Sequence, residues 1–281
     1  MVEIKNVQSL LLEAKKLDEA IEVPVGVMVG KSYKKSSDYK GIWNNTQQSL
    51  SSIVTDKYQI IQHRDVYSAV ANKLMDLNIP ISGRLDNGND YVKADLIFGD
   101  NQYNIKDDAK GIKLGIRVIN SYNKKTSFRL EMYGYRIICQ NGMSFGDKMG
   151  VRELTFHTGS EKTYDMIAET TAKFVTDVIN SNKKLQDYVS KMMADSTDYQ
   201  TALSIIEKLI TRKKHYDEMK KLLEKKSAPT RWDIYNAVTD YVSHRDISGA
   251  VQRRLEKRSQ TLLVTPIQTL RTMKIRGGDD E

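Results

Sequence analysis

The hydrophobic positions of this chain change period several times, and each change marks an element. Residues 2–22 carry Val7, Leu10, Leu11, Ala14 and Leu17 at helical spacing, which predicts an amphipathic helix closed by Pro24. "VPVGVMV" then reads as a short apolar strand, and the polar, turn-rich "GKSYKKSSDYKG" as a loop or hairpin tip. A strand is expected over residues 51–61, with Val54, Tyr58 and Ile60 on one face. The period becomes helical again over 64–77, where Tyr67, Val70, Leu74 and Leu77 form one buried stripe and Pro80 lies just beyond.

Three more strands are predicted, over 89–98, 111–120 and 126–139. In the second, Ile112, Leu114, Ile116 and Val118 alternate with Lys113, Gly115 and Arg117, the period-two signature of a sheet with one face buried and one exposed. "NSYNKKTS" connects it to "FRLEMYGYRII", giving a β-hairpin whose tip and outer face are expected to be basic. Beyond residue 150 the pattern is helical, over 161–193, 198–226 and 248–258. "APTRWDIYNAVTDYVSH" adds its own start signal, with Thr230 as N-cap and Asp233 completing a capping box. The tail "IRGGDDE" is expected to be disordered. The expected fold class is α+β: a β-α-β-β-β core with a twisted antiparallel sheet and basic hairpin over 1–150, a helical region packed on it over 151–272, and a free tail over 273–281.

Composition narrows the function classes. With 281 residues the chain can bury a sizeable core. One cysteine, Cys139, excludes a disulfide framework, and four scattered histidines give no zinc-ligand spacing. No apolar run is long enough for a membrane span and the N-terminus does not read as a signal peptide, so a soluble cytoplasmic protein is expected. Lys and Arg outnumber acids 44 to 36, which favours polyanionic partners. The excess is local: six bases against one acid over 111–136, eight against four over 205–226, and eight against two over 245–276.

The trio His63-Arg64-Asp65 has no nucleophile or ligand nearby in sequence. It reads as a helix start capped by Asp65 or His63, with Arg64 able to reach a phosphate. His157 and His244 lack a second ligand at i+4 and read as locally hydrogen-bonded. No Walker-type glycine-lysine spacing is present, which argues against ATP hydrolysis. Asp95, Asp107, Asp108 and Glu131 are the carboxylates from which a metal nuclease would have to be assembled. The hairpin is the strongest signal. Lys113, Arg117, Lys124, Lys125, Arg129 and Arg136, with Tyr122, Tyr133 and Tyr135, combine phosphate neutralisation with aromatic faces for stacking, the chemistry that single-stranded nucleic acid needs.

Two resemblances follow from particular residues. Cys139-Gln140-Asn141, His157-Thr158-Gly159, and the helix bearing Trp232, Asn236, Ala237, Thr239 and Tyr241 resemble the phage- and plasmid-borne family catalogued as a domain of unknown function, DUF932, over roughly residues 50–245. That resemblance implies no activity. Tyr58, Ile60, His63, Arg64, Ala71 and Asn72, followed by a three-stranded meander and helices, are similar to the core of the eukaryotic single-strand annealing mediators and their phage relatives. That resemblance implies an ATP-independent annealase forming rings or filaments, with single-stranded DNA in a basic groove.

The expectation is a protein without enzymatic activity, metal or cofactor that binds and anneals single-stranded DNA in the recombination or replication of a mobile element. It would act through Lys113, Arg117, Lys124, Lys125, Arg129, Arg136, Tyr133 and Arg64. The alternatives are a duplex-DNA or partner-binding protein using the basic helix around Arg253, Arg254, Lys257 and Arg258, and a metal nuclease built from dispersed carboxylates.

Overall fold

In the computed structural model the described residues are 1–88, 91–99, 106, 111–123, 128–136, 141–144, 152–153, 163–210 and 213–273. Two compact units emerge: Met1–Asp100 with Gly115–Glu131 and Val151–Val178, and Asn101–Leu114 with Met132–Gly150 and Ile179–Glu281. Among the described residues, no helix is long and apolar enough to cross a membrane. The class is α+β, with antiparallel sheets in the first half and a mostly helical second half.

The N-terminal segment is shorter in helix than its periodicity predicts. β1 (Val2–Ile4) pairs antiparallel with β5 (Ile81–Asn87), and α1 (Val7–Ala14) begins only after Asn6. There the Asn6 side chain accepts from Ser9 N at 2.8 Å while Ser9 Oγ accepts from Asn6 N at 3.0 Å, a capping box that fixes where the helix starts. Pro24 does not close the helix. It lies inside β2 (Ala20–Val29), at a register shift in a strand paired on one side, where its missing N–H costs no ladder bond.

β2, β3 (Ser32–Asn44) and β4 (Ser49–Thr55) form a three-stranded antiparallel sheet. "GKSYKKSSDYKG" is therefore mostly strand. Val29 faces Ser32, so the turn is Gly30-Lys31 alone, with Gly30 at φ 62°. One face of this sheet packs Ala20, Ile42 and Val54 against Tyr122, with Tyr58 and Ile60 around them.

The larger sheet has strand order β1-β5-β6-β7-β8-β10, and β9 (Asn141–Ser144) also pairs with β8. Here β6 is Tyr91–Phe98, β7 Ile112–Ser121, β8 Arg129–Arg136 and β10 Arg152–Glu153. Ile116 and Val118 on β7, and Val92, Ala94 and Leu96 on β6, are fully buried, and α2 (His63–Asp76) shares that core through Val66, Tyr67, Val70 and Leu74. Tyr67 Oη lies 2.6 Å from Val92 O and 3.1 Å from Val118 O, tying the helix to two neighbouring strands. The strand β5 falls in a stretch that periodicity left unassigned, because only Ile81 and Leu85 of its residues are large and apolar.

In the helical half, the segment expected over 161–193 is two helices, α3 (Thr163–Asn180) and α4 (Asn182–Ala194), separated at Ser181. α5 (Tyr199–Leu209), α6 (Lys213–Leu223), α7 (Arg231–His244), α8 (Gly249–Val264) and α9 (Ile267–Thr272) follow. α7 contacts α4, α5, α6, α8 and β9, which makes it the hub of its unit. Its start is the predicted capping box, with Asp233 N donating to Thr230 Oγ1 at 3.1 Å and Thr230 N donating to Asp233 Oδ2 at 2.8 Å.

Candidate nucleic-acid interface

The alternation on β7 is as the sequence predicts, but the face expected to be wet is not. The Arg117 side chain is only 3 % exposed. Cα pairing aligns Arg84 with Asp95 and Asp95 with Arg117 on three successive strands, and side chains at paired positions share a face. Arg117 Nε donates to Asp95 Oδ1 at 2.5 Å, and Arg84 Nη2 to Asp95 Oδ2 at 3.1 Å. Glu131 continues the row, its Oε2 lying 3.9 Å from Arg117 Nη1 and its Oε1 accepting from Arg129 Nη1 at 3.3 Å. Charges thus alternate Arg84, Asp95, Arg117, Glu131, Arg129 across four strands. Burial pushes the Asp95 carboxyl up, yet the charge and hydrogen bond of Arg117, helped by Lys93 and Arg84, outweigh it and hold the group down at about 2.

The expected exposed basic face is therefore corrected at Arg117, Arg136 and Tyr133. Arg136 is buried with its guanidinium 5.7 Å from the Trp232 ring centroid, and Tyr133 is 1 % exposed. Tyr122 is likewise interior. Lys113 and Arg129 are half-buried, Arg64 is exposed, and Lys124 and Lys125 lie outside the described residues. The charge count over 111–136 misplaces Arg117 because it could not include Asp95, which reaches Arg117 from the preceding strand. Asp95 and Glu131 do converge, as a metal nuclease would require, but on the Arg117 guanidinium, which fills the position between them. Asp107 and Asp108 lie outside the described residues, and among the described residues no group of three His, Cys, Asp or Glu side chains is placed to hold a metal ion.

His63-Arg64-Asp65 opens α2, and the N-cap is Gln62, which makes no side-chain cap bond. Neither Asp65 nor His63 caps. Instead the Gln62 carboxamide bonds both ways to Ala20, accepting from its N–H at 3.1 Å and donating to its C=O at 2.7 Å, so that the helix start holds the start of β2. Tyr122 Oη accepts from His63 N at 3.0 Å and lies 2.9 Å from Asp18 O and 3.0 Å from Gln62 Oε1. The His63 ring stacks on Tyr122 at 3.8 Å, and its Nδ1 accepts from Asn120 Nδ2 at 2.9 Å. Burial lowers the imidazole to about 3 against a small opposing pull from Asp18, so His63 is a neutral structural group. Arg64 points to solvent, 3.7 Å from Asp65.

The exposed cationic and aromatic chemistry sits elsewhere, on the ribbon of β2 and β3. Beyond Gly26 this hairpin is exposed on both faces: Val27 is 63 %, Met28 64 % and Tyr33 53 % exposed. Lys31, Lys34 and Lys35 flank Tyr33 in sequence at its end, and all three are exposed. Pairing puts Met28 beside Tyr33 and Val27 beside Lys34. A Cβ on Gly26 would lie 2.1 Å from Lys34 O, so this glycine lets the two strands close where the register shifts. The signal was visible as "KSYKK", three cations and a ring in five residues, but a loop assignment gave it no surface.

A family model described as "Domain of unknown function (DUF932)" matches residues 51–264. No curated protein and no solved structure matches. β2 and β3 precede the matched span, whereas Arg117, Trp232 and the α7 capping box lie within it.

Proposed function

Because the chain belongs to the DUF932 family, whose description names no activity, function has to be argued from geometry, and we propose that it is a non-catalytic protein that binds single-stranded DNA. The observation that carries this reading is the end of the β2–β3 ribbon, where Lys31, Lys34, Lys35 and the ring of Tyr33 are all exposed within five residues of chain. Ammonium groups neutralise phosphates without reading bases, and a tyrosine ring offers a sequence-tolerant stacking surface. A strand held by its backbone keeps its base edges free to meet a complement, so annealing needs neither a nucleophile nor ATP. Arg64 is a further exposed cation in the same unit. The setting would be recombination or replication of a mobile element, in keeping with the resemblance to annealing mediators. Duplex DNA is the second reading, since a two-stranded ribbon also fits a major groove and Met28 is an apolar group of the kind that wedges between base steps.

The test is binding of labelled single-stranded and duplex DNA across a salt series, comparing the native chain with Lys31→Glu/Lys34→Glu/Lys35→Glu and, separately, Lys124→Glu/Lys125→Glu. Loss of single-strand binding in the first variant supports the ribbon. Loss only in the second returns the site to the β7–β8 hairpin. Stronger, salt-sensitive duplex binding selects the second reading, and no binding to either nucleic acid overturns both.

A further inference from the structure

Two aromatic rings share the outer face of the three-stranded sheet, beside the lysine-bearing end of the β2–β3 ribbon. Ala20, Ile42 and Val54 point inward, so the residues that alternate with them point out. On β3 these are Tyr39, Gly41 and Trp43. Tyr39 is 52 % exposed and Trp43 is half-buried. A Cβ on the intervening Gly41 would meet Leu50 Cδ1 at 2.8 Å, Val23 Cγ2 at 2.9 Å and Val25 Cγ1 at 3.0 Å, so three aliphatic side chains form a floor between the rings. Cα pairing adds Ile21 opposite Trp43 and Ile53 opposite Gly41. Continuing the alternation of β2 past Val25 brings Val27 to the same side, and with it Lys34, its partner on β3. An uncharged aromatic bed thus runs into a cationic end on one side of the sheet.

From this geometry we propose that Tyr39 and Trp43 are stacking platforms for the bases of a single strand whose phosphates the ribbon lysines hold. The proposal rests on the nucleic-acid reading and decides between its two forms. A single strand divides into flat, apolar bases and an anionic backbone. The face repeats that division, with rings and an aliphatic floor first and Lys34 and Lys31 at the ribbon end. Duplex DNA keeps its base faces inside its own stack, so it would meet the lysines and leave the rings unused. Four residues of strand separate the two rings by about 13 Å, so each takes its own base. Every base has a π-face, so such a platform reads no sequence and suits a protein that must hold any strand.

The test compares a labelled oligodeoxynucleotide with an abasic strand of the same length, which keeps the phosphates and lacks the bases. Anisotropy measures affinity and tryptophan emission reports contact. The chain has two tryptophans, and Trp232 is 1 % exposed, so a bound base quenches Trp43. The native chain is expected to bind the base-bearing strand about tenfold or more tighter than the abasic one, with its emission quenched only by the former. Tyr39→Ala, at an exposed position, should lose part of that preference and leave the salt dependence unchanged. Tyr39→Ala/Trp43→Leu, verified as folded by circular dichroism and a thermal melt, should bind both strands alike. Equal native affinity for the two strands, or unchanged emission at saturation, overturns the proposal and leaves the ribbon lysines as the whole contact. Emission that changes with protein concentration alone overturns it too, and assigns the face to a second copy. Failure to bind either strand at low salt overturns the nucleic-acid reading itself, and this proposal with it.

Discussion

Arg117 Nε donates to Asp95 Oδ1 at 2.5 Å across the β7–β6 pair, and both side chains are at most 3 % exposed. An arginine that sequence places on a wet, DNA-facing surface is the centre of an interior ion row. Removing either partner leaves the other charge buried and uncompensated, which is where the cost of such a pair lies. Arg117→Met is expected to destabilise the protein by about 3–5 kcal/mol. Arg117→Met with Asp95→Leu should cost less than the single change, and urea unfolding of the three proteins measures the difference.

Asp95 also makes acid stability depend on the row. Its folded carboxyl lies at about 2, below the ordinary value of 3.8. A depressed group gives stability that is complete above its unfolded value and lost as pH falls through its folded value. Stability should therefore drop between about pH 4 and pH 2, and that part of the drop should be absent in the Arg117→Met/Asp95→Leu protein. An unchanged acid profile would contradict the assignment.

His63 acts in a higher window. Its folded value of about 3 lies below the ordinary 6.5, so the unfolded chain binds the extra proton first. Stability should be complete above pH 6.5 and fall by up to about 1.4 kcal/mol per pH unit toward pH 3. In NMR the imidazole should not titrate between pH 7 and pH 5. A His63 ring with a midpoint near 6.5 would sink this.

Tyr122→Phe removes the hydroxyl that accepts from His63 N and lies against Asp18 O and Gln62 Oε1. Buried groups left without partners cost about 1–3 kcal/mol. The variant should lose that much in thermal or urea melts. Gln62→Leu, which unties the start of α2 from Ala20, should loosen the start of β2, read as faster amide exchange at Ala20 and Ile21.

For the ribbon, Lys31→Glu/Lys34→Glu/Lys35→Glu should reduce single-strand affinity about tenfold or more and lower the salt slope by about 2, at roughly 0.7 for each phosphate left without its cation. Tyr33→Ala should weaken binding, by about 1–3 kcal/mol, with little change in that slope, because stacking releases no counterions. An unaltered slope in the lysine variant would place the cations outside the interface.

Local spacing along the chain was enough for everything that depends on neighbours a few residues apart: the α2 stripe of Tyr67, Val70 and Leu74, the Thr230–Asp233 capping box, and the alternation along β7. It also carried the family kinship, through Trp232, Asn236 and Tyr241. Which face of each strand meets solvent came from the three-dimensional packing and from nothing else. Period-two alternation is the same whichever side is buried, so Ile21, Val23 and Val25 could not be known to point outward, nor Arg117 inward. The partner that neutralises Arg117 stands 22 residues away on another strand, and the tyrosine that holds His63 stands 59 residues away. Only the register of the sheet brings these charges and rings together, and register is set by contacts that no local pattern contains.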